Sequence, residues 1–67
     1  KSIFNAKDYY KLACPLDTND EAKVANEACA NLGSIIYNEG DFRTAQKYYL
    51  KACEMGYNGD IISCDKK

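Results

Sequence analysis

The sequence predicts an all-α fold of antiparallel helical hairpins, and three observations carry that prediction. The segment Ala6-Lys7-Asp8-Tyr9-Tyr10-Lys11-Leu12-Ala13-Cys14 returns 39 residues later as Ala45-Gln46-Lys47-Tyr48-Tyr49-Leu50-Lys51-Ala52-Cys53, with five of nine positions identical. Apolar residues recur throughout at helical spacing rather than in alternation. Glycine, proline and capping residues punctuate the chain where helices would start and stop. A copy at that period is the mark of a repeat array, in which a helical hairpin buries its apolar face against its neighbours.

The first helix, expected over 2–14, has Ser2 as N-cap and Ile3, Phe4, Ala6, Tyr9, Tyr10, Ala13 and Cys14 at helical spacing until Pro15 ends it. A complete hairpin is expected over 19–55. Thr18 and Glu21 read as a capping box opening its first helix, whose inward face is Ala22, Ala25, Cys29, Leu32 and Ile36 and which Gly40 stops. Asp41 caps the next helix, and Phe42, Ala45, Tyr48, Tyr49, Ala52 and Cys53 form its stripe until Gly56. The link Glu39-Gly40-Asp41 is so short that the two helices must be antiparallel. After the turn Tyr57-Asn58-Gly59, a further short helix is expected within 59–65 as the start of another unit.

Counting back from Asp41 by one period reaches Ser2, so the chain reads as an outer helix, a full hairpin and the start of the next inner helix. That is about one and a half repeats in a single domain, 1–67. It suits either an array trimmed at both ends or a very small protein. Lys1 in first position fits an export signal already removed, or a start within a longer chain.

A 67-residue chain has a marginal core, and its four cysteines are candidate staples. Zinc is disfavoured, because the chain has no histidine and no Cys-x-x-Cys pair. Disulfides imply an oxidising compartment, so the chain is expected to be periplasmic or secreted. Nine Lys plus Arg against ten Asp plus Glu, evenly spread, offer no basic stripe to nucleic acid. The run Ile35-Ile36-Tyr37 is far too short to insert in a membrane.

Residues 29–53 resemble a tetratricopeptide repeat. Leu32-Gly33, Tyr37, Gly40-Asp41-Phe42, Ala45, Tyr49 and Lys51-Ala52 stand where that family keeps Leu-Gly, an aromatic, Gly-Asp-aromatic, Ala, an aromatic and Lys-Ala. The ending Tyr-Tyr-x-x-Ala-Cys is more similar to the cysteine-rich branch of Sel1-like repeats, in which a cysteine closing one hairpin bridges to the first helix of the next. That resemblance implies the pairs Cys14–Cys29 and Cys53–Cys64. The intervening stretches are wider here than in that branch, and its Gly-x-Gly-Val loop is lacking, so both branches stay open. Repetition of the motif favours the same pairs, because Cys14 and Cys53 are twins; the rival is Cys29–Cys53 with Cys14–Cys64.

The resemblance further implies a protein- or peptide-binding module without catalysis, cofactor or metal, capable of self-association or of continuing into further repeats. Its concave binding face would be lined by Glu27, Ala30, Asn31, Ser34, Tyr37 and Asn38. Asn31 stands where carboxylate-binding relatives carry Asn, but Ala30 and Ser34 replace their Lys and Asn, so that clamp is incomplete.

Two other readings come from different classes. Ser63-Cys64-Asp65-Lys66 fits a Ser-x-x-Lys nucleophile pattern, which with the Sel1-like resemblance suggests a penicillin-binding or cell-wall enzyme; no Lys-Thr-Gly companion accompanies it. Alternatively the chain is a structural cap of a longer solenoid. The acidic run Asp17 to Glu21 lacks the glycine of a calcium loop and reads as a helix start. Of six tyrosines, Tyr10, Tyr49 and Tyr37 are expected in the core and Tyr9, Tyr48 and Tyr57 nearer the surface, while Lys47 and Lys51 read as a solvated basic edge.

Overall fold

The computed structural model describes residues 5–62 and Cys64. Three helices follow one another: α1 (Ala6–Ala13), α2 (Asn26–Asn38) and α3 (Phe42–Glu54), and no strand occurs among the described residues. α2 is central and packs against both α1 and α3. Its neighbours run antiparallel to it. Lys7, early in α1, pairs with Glu39 beyond the end of α2 at 2.8 Å, while Cys14 after α1 is bonded to Cys29 in the first turn of α2.

The helix ends follow from local chemistry. Asp41 accepts a hydrogen bond from the Thr44 amide and so caps α3. α2 and α3 finish alike: Gly40 and Gly56 take φ of +94° and +93°, and the following amides of Asp41 and Tyr57 reach back to the carbonyls of Ile36 and Ala52 at 3.2 and 2.9 Å. This closure needs a left-handed residue, which glycine supplies without steric cost. Asp41 both completes the end of α2 and caps α3, which is why one glycine suffices to reverse the chain.

Several expectations are corrected. α1 is capped by Asn5, whose side chain accepts from the Asp8 amide; Ser2, the expected cap, lies with residues 1–4 outside the described chain. The capping box at Thr18 and Glu21 does not form. Thr18 instead accepts from the Asp20 amide, and Asp20 closes a single turn through Ala22, Lys23 and Val24. The Ala25 amide then bonds the Ala13 carbonyl at 2.9 Å, an extended geometry that postpones α2 to Asn26. Ala22 and Ala25 are consequently exposed. Residues 59–62 are bends rather than a helix, with the Ile61 amide donating to the Tyr57 hydroxyl at 2.9 Å.

The core has two adjoining parts. One surrounds the Cys14–Cys29 bridge with Val24, Ala28, Ala30, Ala52 and Tyr57; the other comprises Leu32, Ile36 and Ala45, and Tyr10 and Tyr48 pack against both. Tyr57 is therefore buried, against expectation, because the residue after a left-handed glycine folds back onto the last helical turn. Lys51 is likewise only 7% exposed: its stem lies in the interior and its ammonium donates to the Asn19 side-chain oxygen. Asn26 Nδ2 donates to the Met55 carbonyl at 3.0 Å, tying the start of α2 to the end of α3.

Candidate functional site

Because α1 and α3 cover one side of α2, the opposite side faces solvent. Glu27, Asn31, Ser34 and Asn38 lie four, three and four residues apart and so share one face of the helix. At about 1.5 Å per residue they form a stripe roughly 16 Å long. Glu27 and Asn38 are exposed, and Asn31 and Ser34 are half-buried. Asn31 Nδ2 donates to the Glu27 carbonyl at 2.9 Å, which fixes its amide along the stripe.

Two residues of the expected concave face stand apart from this stripe. Ala30 is fully buried in the core part that holds Ala52 and Tyr57, so it offers no surface to a ligand. Tyr37 is half exposed and stands at the hairpin end, its ring centroid 4.6 Å from Phe42 and 6.4 Å from Tyr49. Phe42 is itself 57% exposed, so the α2–α3 turn presents an aromatic pair. The pair was detectable in the sequence as aromatics on either side of the four residues Asn38 to Asp41.

The chemistry of the stripe is hydrogen bonding: a carboxylate, two amides and a hydroxyl, flanked by an aromatic pair suited to apolar contact. Among the described residues two ionisations are displaced, and both belong to the fold. Asp41's carboxyl is held below its usual range, first by its side-chain hydrogen bond to Thr44, as its capping role requires. Burial, with a smaller contribution from Tyr37, raises the Tyr49 phenol above its ordinary value. The disulfides are Cys14–Cys29 and Cys53–Cys64, and with no free cysteine no thiol remains for nucleophilic or redox chemistry. The Ser63–Lys66 pattern falls on residues outside the described chain apart from Cys64. No helix among the described residues is long and apolar enough to cross a membrane.

The chain matches no protein-family model, no curated protein and no solved structure.

Proposed function

We propose that this chain is a protein- or peptide-binding module of an exported helical-repeat protein, tetratricopeptide- or Sel1-like in its hairpins, and that it performs no catalysis itself. The observation that carries the reading is the open stripe Glu27, Asn31, Ser34 and Asn38 on a central helix braced from behind by two others. Helix-borne polar groups at fixed spacing read a bound peptide with little loss of side-chain entropy, because the scaffold holds them before the ligand arrives. The two disulfides support export, since such bonds persist in oxidising compartments. They also suit a scaffold too small to be held by its core alone.

The test is selection of a displayed random-peptide library on the immobilised oxidised chain. Enriched sequences should bind about tenfold more weakly to the Asn31→Ala, Ser34→Ala double variant. The reading fails if nothing is enriched over a reduced and alkylated control, or if the double variant binds unchanged.

A further inference from the structure

The two disulfides hold different things. Cys14 and Cys29, 1% and 0% exposed, join α1 to α2 inside the core part that also holds Val24, Ala28, Ala30, Ala52 and Tyr57. Cys53 and Cys64 are half-buried, and their bond joins the last turn of α3 to the segment that follows it. That segment is irregular, and over 58–62 it bends around one side chain. The Ile61 amide donates to the Tyr57 hydroxyl at 2.9 Å, and Gly59 lies so close to the same hydroxyl that a Cβ there would collide with it. Ile62 and Cys64 pack against the core part that contains Ala30 and Ala52. Ala30 precedes Asn31 in α2, so the surface they help to cover borders the polar stripe.

The helices have fastenings of their own. Asn26 Nδ2 donates to the Met55 carbonyl, Gly33 lies against Tyr49 and the Ala45 carbonyl, and the Tyr57 amide closes the Gly56 stop on the Ala52 carbonyl. Neither these contacts nor the Cys14–Cys29 bond passes through Cys53–Cys64. We propose that residues 58–62 with Cys64 form a redox-released strap: reduction of Cys53–Cys64 frees them while α1, α2 and α3 stay packed, and uncovers an apolar subsite at Ala30 and Ala52 beside Asn31. A dithiol reductant supplies the electrons. Its thiolate attacks one sulfur of the bond, the other sulfur leaves as a thiolate and takes a proton, and the reagent's second thiol displaces the first. The products are two cysteine thiols and an oxidised reagent. Attack needs access to sulfur, which the half-buried pair gives and the buried pair denies, and accessible disulfides are the labile, regulatory ones.

Use of the subsite by an apolar side chain of a bound peptide rests on the binding-module reading, but the opening is measured without peptide. Failure of peptide selection and failure of the strap are therefore separate results. The test compares the oxidised chain with a Cys53→Ser, Cys64→Ser double variant, which retains Cys14–Cys29, and with the chain treated with limiting dithiothreitol. Helical circular dichroism should persist in all three. Exchange of the Ile61 amide should quicken about tenfold once the strap is free. The amide signals of Ala30, Asn31 and Ala52 should shift while those of Ile36 and Ala45 stay in place. Fluorescence of an anilinonaphthalene sulfonate dye, a reporter of exposed apolar surface, should rise. Reoxidation of the dithiothreitol-treated chain should reverse each change. Loss of helical dichroism with Cys14–Cys29 intact overturns the proposal, because the bridge is then a staple of the whole fold. Unchanged Ile61 exchange overturns it too, as does the absence of dye binding.

Discussion

Gly33 and Tyr49 touch so closely that a Cβ placed on the glycine would lie 2.5 Å from Tyr49 Cδ1 and 2.6 Å from Cε1. The tyrosine ring fills the space that a side chain on α2 would need. Gly33 sits mid-helix, where exchange for alanine ordinarily stabilises by about 1 kcal/mol through helix propensity. Here the sign should reverse. Gly33→Ala is expected to destabilise by roughly 1–3 kcal/mol, the usual cost of overpacking, in urea unfolding. In a Tyr49→Leu background the same exchange should lose most of that cost. A stabilised Gly33→Ala protein would show that the two helices are not in this contact.

The parts of this fold that local chemistry decides were legible in the sequence, and the parts decided by distant residues were not. The helices, the Asp41 cap and the glycine stops at Gly40 and Gly56 rest on residues near one another; the disulfides, which span 15 and 11 residues, are the exception, legible because repetition makes Cys14 and Cys53 twins. Thr18 and Glu21 had the spacing of a capping box, but the Ala25–Ala13 hydrogen bond and the Cys14–Cys29 bridge hold that segment in another path. Lys51 read as a surface lysine because nothing near it in sequence reveals that Asn19, 32 positions earlier, comes to meet it. Tyr57 did carry a signal: it follows the Gly56 stop, the position that folds back on the helix. At the candidate site, helical spacing grouped Glu27, Asn31, Ser34 and Asn38, but only the packed structure removes Ala30 from their company.

Lys51 and Asn19 yield a second test. Asn19→Ala would leave a part-buried ammonium without its acceptor, at a cost of about 1–3 kcal/mol. Lys51→Met retains most of the buried stem and removes the charge, so adding it to Asn19→Ala should recover much of the loss. A double-mutant cycle by thermal or urea unfolding measures this coupling, and additive effects would contradict the contact. The neighbouring Lys47→Met, at an exposed position, should change stability by no more than about 0.5 kcal/mol.

The two disulfides differ in burial, and reduction should follow that order. Cys14 and Cys29 are 1% and 0% exposed, whereas Cys53 and Cys64 are half-buried. Thiol exchange needs an approach to sulfur, so limiting reductant with rapid alkylation should label Cys53 and Cys64 first. Peptide mass spectrometry reads the order; first labelling at Cys14 and Cys29 would refute it. Loss of the buried Cys14–Cys29 bridge, the second to be reduced, should matter more. Closing a loop of about 15 residues stabilises by roughly 3 kcal/mol in the chain-entropy model, against about 3–10 kcal/mol in total for a chain of this length. Full reduction should therefore melt most of the helical circular dichroism at 37 °C, a temperature at which small disulfide domains commonly fail once reduced.

Stability should fall on both sides of neutral pH, for separate reasons at Asp41 and Tyr49. The fold favours ionised Asp41, whose carboxylate accepts from Thr44 and so has its pKa lowered; its contribution is present above the ordinary carboxylate value and is lost as pH falls through the lowered one. For Tyr49 the fold favours the neutral phenol, because burial raises its pKa. Its contribution is present below the ordinary tyrosine value of about 10 and is lost as pH rises through the raised one. Urea unfolding across the pH range separates the two. Asp41→Asn, which keeps a capping side chain but cannot ionise, should flatten the acid limb and leave the alkaline limb alone. Tyr49→Phe should flatten the alkaline limb only. Unchanged slopes in either variant would mean that the corresponding group is not coupled to folding, and in the case of Tyr49 that its ring is not seated against Gly33.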